Sequence, residues 1–226
     1  MFAPAVAGPG IHPVSYSYIN TYTCTDTARI SIRVLPAPAW VCGDTVTDLR
    51  DNRMYPTVQI GPQCWMAANL DYGNLTNGLG NQRDNCIPEK FCQGNLAANC
   101  ASDGGLYQWD EVMRYEDMQS VQGMCPAGWH VPSEADWNNL FAFYINNAFA
   151  GAPLLYTGYS GFNALLSGNR FNNTSWNFMN FATLFWSSTS HGPRKAWAHG
   201  MNMYNYSVSY YPSHRNNGMS VRCIKD

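Results

Sequence analysis

Between residues 133 and 147 the apolar and polar positions separate onto two sides of a helix. Trp137, Leu140, Phe141, Tyr144 and Ile145 fall at i, i+3, i+4, i+7 and i+8, while Asn138, Asn139, Asn146 and Asn147 take the wet side. Just upstream, Cys125-Pro126-Ala127-Gly128-Trp129-His130-Val131-Pro132 is too rich in proline and glycine to be helical. Ser133, with Asp136 three residues on, then reads as an N-cap, so the helix must begin there. An earlier helix is predicted over 106–118, opened by Gly104-Gly105, with Leu106, Trp109, Val112 and Met113 on its buried side.

Elsewhere the period is two. Val14, Tyr16 and Tyr18 alternate with polar neighbours, a polar break follows at 20–27, and Ile30, Ile32 and Val34 alternate with Arg29, Ser31 and Arg33. That is a hairpin. The turn residues in 48–55 predict a second, tight hairpin leading into strands over 57–61 and 64–67. Asp48 and Asp51 serve there as turn-forming carboxylates rather than metal ligands. Residues 71–105 and 169–180 read as loops rich in Asn and Gly, 162–166 as a short buried element, and 183–188, 196–203, 206–211 and 220–224 as strands.

Two strands alone are marginal in water. The first hairpin must therefore find another sheet, either the edge of the following domain or a neighbouring subunit by strand addition. Val14, Tyr16, Tyr18, Ile30, Ile32 and Val34 are the assembly residues on this reading. The competing reading is a loosely packed remnant of an upstream domain.

Charged residues make up 12% of the chain, about half the ~25% of an ordinary soluble domain. Asn, Ser, Thr, Gly and Tyr supply a hydrogen-bonding surface instead, which suits exported and sugar-contacting proteins. The net charge of −2 and the lack of a basic run argue against nucleic acid, and no apolar run is long enough to span a membrane. Eight cysteines without CxxC spacing predict disulfides and an extracellular location, at the cell surface or secreted. Cys125 is the natural partner of Cys223, Cys42 and Cys64 flank the second hairpin, and Cys92 with Cys100 is the local choice. Cys86 is then left for Cys24, although sequence does not fix the connectivity. The opening residues lack the charge and apolar core of a signal peptide, so residue 1 reads as a cut end within a longer exported precursor.

The ordered motifs QCWMAANL, GGLYQWDEVM, CPAGWHVPSEADWNNL, GFNALLSGNR, FWSST and GMSVRCIKD resemble the Fibrobacter succinogenes major paralogous domain, a family of bacterial surface modules, over roughly 42–226. The resemblance implies an α+β, C-type lectin-like domain over 39–226, with two helices and short antiparallel sheets. The hairpin and arm of 1–38 resemble the last two strands of a bacterial Ig-like repeat. In such a fold the late strands and loops carry the binding surface, which points to Trp197, His199, Tyr204, Tyr206, Tyr210, Tyr211, His214 and Arg215.

The lectin family's calcium-dependent sugar motifs are missing, because Trp176-Asn177 continues into Phe178. Aromatic stacking with Asn and His hydrogen bonds would have to replace them. No HExxH, Gly-x-Ser-x-Gly, phosphate loop or convincing carboxylate pair occurs, and every cysteine has a structural partner to hand, so neither catalysis nor a cofactor or metal is expected. His130 reads as a partly buried histidine bonded to backbone. The chain is expected to be a structural or adhesive surface module that joins copies of itself or a scaffold protein through its N-terminal strands and presents a lectin-like recognition face, with a glycan as a further partner. The alternative is a monomeric carbohydrate-binding adhesin.

Overall fold

The computed structural model describes residues 10–19, 25–34, 40–171 and 175–226. The chain parts into two compact units between Val41 and Cys42. The first unit is the predicted hairpin. Strands β1 (Gly10–Ile19) and β2 (Thr25–Val34) pair antiparallel, with Val14 opposite Ile30, His12 opposite Ile32 and Tyr16 opposite Ala28. Cross-strand partners share a face, so Val14, Tyr16, Ile30 and Ile32 lie on one side, and Ser15, Ser17, Arg29, Ser31 and Arg33 on the other. Tyr18 and Val34 occupy the same alternate positions as the apolar set.

The second unit opens with β3 (Thr45–Asp48), β4 (Arg53–Ile60) and β5 (Gln63–Met66), the predicted tight hairpin and its continuation. A parallel pair, β6 (Asn74–Leu75) and β7 (Glu89–Lys90), precedes α1 (Ala97–Asp103) and α2 (Trp109–Val112). After β8 (Trp129–His130) come α3 (Glu134–Phe143) and α4 (Asn147–Leu154). The remainder is strand: β9 (Ser167–Phe171), β10 (Ser175–Met179), β11 (Ala182–Ser190), β12 (Lys195–Asn202), β13 (Ser209–His214) and β14 (Ile224–Lys225). They build two five-stranded sheets, ordered β3-β4-β5-β14-β8 and β10-β9-β11-β12-β13.

The unit is therefore mostly β, and the expected α+β, C-type lectin-like architecture with two helices and short sheets is wrong. Two segments account for most of the difference. Predicted helix 106–118 is helical only over Trp109–Val112: Leu106 and Tyr107 instead bridge to Phe91 and Met219, and Arg114 and Tyr115 turn to positive φ. The predicted loop 169–180 contains most of the β9–β10 ribbon: Gly168, Asn169 and Arg170 leave β9 without apolar alternation, although Trp176 and Phe178 alternate with Ser175 and Asn177 in β10. The strand expected over 206–211 begins only at Ser209, and of that expected over 220–224 only Ile224 is in β14.

The α3 start is as predicted. Ser133 Oγ accepts from Asp136 N–H at 3.4 Å, and Asp136 Oδ2 accepts from Ser133 N–H at 2.8 Å. Trp137, Leu140 and Phe141 are buried, but the stripe stops there. Tyr144 is only partly buried, and Ile145, at φ +77°, is 78% exposed.

Disulfides join Cys42 to Cys64, Cys92 to Cys100 and Cys125 to Cys223. Cys86 is exposed, while Cys24 and hence the Cys24–Cys86 pairing lie outside the described residues.

Alternate residues of single strands enter two separate apolar cores. Cys64 and Met66 of β5, Leu184 and Trp186 of β11, and Ala196 and Ala198 of β12 belong to one core. Trp65, Phe185 and Met201, from the same three strands, belong to the other. The stretch 218–223 knits the two sheets: Met66 N–H donates to Cys223 O, and Trp186 N–H to Ser220 O.

Over their central residues such strands have no wet side. Arg222, fully buried, alternates with Val221 and Cys223 and stacks 4.4 Å over the Phe162 ring. Among the described residues no carboxylate pairs with its guanidinium, which donates to Asn69 Oδ1 and to the carbonyls of Met66, Phe162 and Asn163. Burial pulls its pKa down to about 9, which still leaves it charged at neutral pH.

Candidate functional site

The outer end of the second sheet carries an open cleft of about 350 Å³. Its floor follows from the register. Ala182 pairs with Asn202, Leu184 with Gly200, and Gly200 with Ser209, so these residues share one face. Gly200 keeps the floor low, since a Cβ there would stand 2.8 Å from Ser209 Oγ.

Aromatic side chains make the walls, and two local devices present them. In the β9–β10 ribbon, Gly168 at φ +67° sits between the residues paired with Asn177 and Met179, and Phe178 is itself at φ +64°. A Cβ on Gly168 would lie 2.3 Å from Asn177 O, so glycine is required there. A bulky residue at positive φ is uncommon and strained; Phe178 bears that strain and is exposed at the cleft. Phe181 follows in the β10–β11 turn, closed by its N–H donating to Phe178 O.

The second device is the loop 203–208. Asn202 Oδ1 accepts from the N–H groups of Tyr204 and Asn205, and Asn205 Oδ1 accepts from Ser207. The loop is pinned to α4, where Gly151 N–H donates to Tyr206 O at 2.7 Å and Asn147 Nδ2 donates to Val208 O. Tyr204 is thereby held 75% exposed, its ring stacked on Phe181 at 6.5 Å and 28°. Tyr211 closes the opposite wall, and burial raises its pKa, so the phenol stays protonated.

The cleft thus gathers Tyr204 and Tyr211 from the sequence-predicted set. Trp197 and Tyr210 stand on the other face of β12 and β13, forming a small aromatic platform with His191 (ring centroids 5.9 and 5.1 Å from Trp197). His199 shares that face but is only 1% exposed, packed 4.9 Å from the Trp137 ring, with Nε2 2.8 Å from Glu134 Oε1. It is not on a recognition surface. Arg215 is also committed, lying 3.9 Å over Trp109 and paired with Asp110 and Asp117. Tyr206 and His214 are exposed outside the cleft lining.

Sequence reasoning missed Phe178, Phe181, Gly200, Asn202 and Ser209. The available signal was two phenylalanines in an Asn-rich stretch, where aromatic residues have no obvious core to join.

Among the described residues no three His, Cys, Asp or Glu side chains converge as metal ligands. Asp48 accepts from Arg50, and Asp51 Oδ1 accepts from Arg53 N–H, as turn residues do. His130 is partly buried, but it bonds to carboxylates where backbone was expected: Asp226 Oδ1 at 2.8 Å and Asp136 Oδ2 at 3.4 Å. Burial pulls its pKa down, yet these two bonds outweigh burial and lift it above 6.5. No described helix is long and apolar enough to cross a membrane.

No curated protein and no solved structure matches the chain. A family model does: the Fibrobacter succinogenes major domain matches residues 58–225. That span is most of the second unit and well over half of the sequence, so the chain belongs to the Fibrobacter succinogenes major domain family.

Proposed function

We propose that this protein is a non-catalytic, extracellular structural or adhesive module of a bacterial surface, which joins copies of itself or a surface scaffold through β1 and β2. The observation that carries this reading is the hairpin itself. It is a compact unit whose described residues form two strands, and its register collects Val14, Tyr16, Ile30 and Ile32 on one face, with Tyr16 64% and Ile30 50% exposed. A two-stranded ribbon is marginal alone, and added strands give it both backbone hydrogen bonds and apolar cover. Three disulfides fit an oxidising compartment outside the cytoplasm.

Light scattering on the purified chain tests this reading. Assembly should appear with rising concentration and be lost in Tyr16→Asp with Ile30→Asp. A chain that stays monomeric, with residues 10–34 readily cut by protease, overturns it.

A second reading, a monomeric carbohydrate-binding adhesin, is favoured by a different observation. The cleft has aromatic walls, polar groups and no charged lining residue. On that reading the hairpin is a linker.

A further inference from the structure

We propose that the cleft bounded by Phe178, Phe181, Tyr204 and Tyr211 binds one or two neutral pyranose rings of a glycan, an assignment that rests on the carbohydrate-binding reading and gives it a place and a ligand class. The C–H faces of the sugar would lie against the aromatic walls, and its hydroxyls would bond to Asn202 and Ser209.

Four features select this ligand. The lining carries no charged side chain among the described residues, so an anionic or cationic ligand would lose its hydration without an ion pair in return. Exposed rings offer the flat apolar surface that the C–H face of a pyranose matches, and aromatic side chains do this at low entropic cost. The polar groups are oriented: Asn202 Oδ1 already accepts from two backbone N–H groups, which fixes the amide and leaves Nδ2 to donate. Ser209 Oγ donates to Gly200 O at 3.2 Å and keeps its lone pairs for a ligand hydroxyl. Finally, the volume sits at the lower end of the ~300–1,000 Å³ of small-molecule sites, which suits short occupancy rather than a long buried chain.

The walls are also pre-organised. Phe178 is held in a strained backbone conformation, and the loop bearing Tyr204 is tied down by Asn202, Asn205 and α4. Ordering such groups in advance lowers the cost of binding.

The test is calorimetric titration of the full chain with cellohexaose, maltohexaose and mannohexaose, and with an anionic hyaluronan hexasaccharide for contrast. Phe181→Ala and Tyr204→Ala alter exposed side chains, and Tyr156→Ala and Tyr159→Ala serve as exposed aromatic controls away from the cleft. The expected result is binding of at least one neutral oligomer, with affinity reduced roughly five- to tenfold in each cleft variant and unchanged in the controls. Neutral-sugar binding that persists in both cleft variants overturns the cleft assignment while leaving glycan recognition standing. Folded protein that binds none of the neutral sugars overturns the assignment, and with it glycan recognition of this class. If the cleft variants lose self-association instead of sugar binding, the occupant is a second copy and the assignment is again overturned.

Discussion

The two five-stranded sheets share both cores but are secured by different means. The first sheet is crosslinked: Cys64 in β5 is tied to Cys42 ahead of β3, and Cys125 ahead of β8 is tied to Cys223 ahead of β14. Among the described residues no disulfide touches the second sheet. Buried polar contacts hold it instead. Ser167 Oγ lies 3.3 Å from Thr183 Oγ1 and 3.1 Å from Ser220 Oγ, and Arg170 donates to Gly78 O and Gly80 O. Covalent closure makes the first sheet a scaffold, whereas the second is free to end in an open cleft. The crosslinked sheet and the sheet that bears the candidate cleft are therefore distinct.

Removing the long crosslink should have the largest effect. Cys125→Ser with Cys223→Ser opens a loop closed across 98 residues, and loop entropy alone sets the loss at about 5 kcal/mol, against about 2.5 kcal/mol for the 8-residue Cys92–Cys100 link. Denaturant unfolding of the two double variants measures the gap. Equal losses would mean that the first sheet does not depend on its staple.

Next comes the junction of the sheets. Arg222→Met leaves Asn69 Oδ1 and up to three carbonyls without their donor, and should cost about 4 kcal/mol by the same measurement. Burial of a charge without a carboxylate makes the opposite outcome informative: a neutral or stabilising change would show that the guanidinium is kept for something other than stability.

A smaller effect should appear with pH, and from the first sheet and its neighbouring loop. Glu111, on α2, accepts from Glu89 N–H and the Tyr115 hydroxyl; burial raises its pKa from 4.5 to about 7 despite those bonds. The folded state thus holds this proton more tightly than the unfolded chain. The contribution of this group should be complete below pH 4.5 and be lost as pH rises through 7, by about 3 kcal/mol. His130 acts in the same direction: its raised pKa gives stability that is complete below 6.5 and lost as pH rises through the folded value. Thermal melts from pH 5 to 8 should show the fall, and Glu111→Gln should flatten its acidic part.

The smallest effect belongs to the cleft. Phe181→Ala and Tyr204→Ala should change stability by less than ~0.5 kcal/mol, because both side chains are exposed. A larger loss would show that the walls help to hold the second sheet together.

What the sequence made legible follows the same division. The first hairpin, the Ser133 cap and the strands around Cys64 each obey one simple period or one local hydrogen-bond motif, and the structure has them in place. The burial of His199 and Arg222 was illegible for a shared reason. Alternation separates the two faces of a strand, but it does not say whether the second face meets water or another core. Here it meets another core, so a polar residue at an outward position is buried and must be satisfied in place. The β9–β10 ribbon and the cleft were hidden for the converse reason: β9 carries no apolar alternation, its pairing rests on Gly168 and backbone turns, and the apolar residues of β10 sit among asparagines that read as loop.

The position of β14 governs when the domain can become whole. Ile224 lies between Trp65 and His130, so an interior strand of the first sheet is supplied about 160 residues after β5, on which it pairs. A chain emerging from its amino end can close the Cys42–Cys64 ring early. It cannot zip β5 to β8 until residue 224 has been made, so Cys125 can pair with Cys223 only after the rest of this domain is in place.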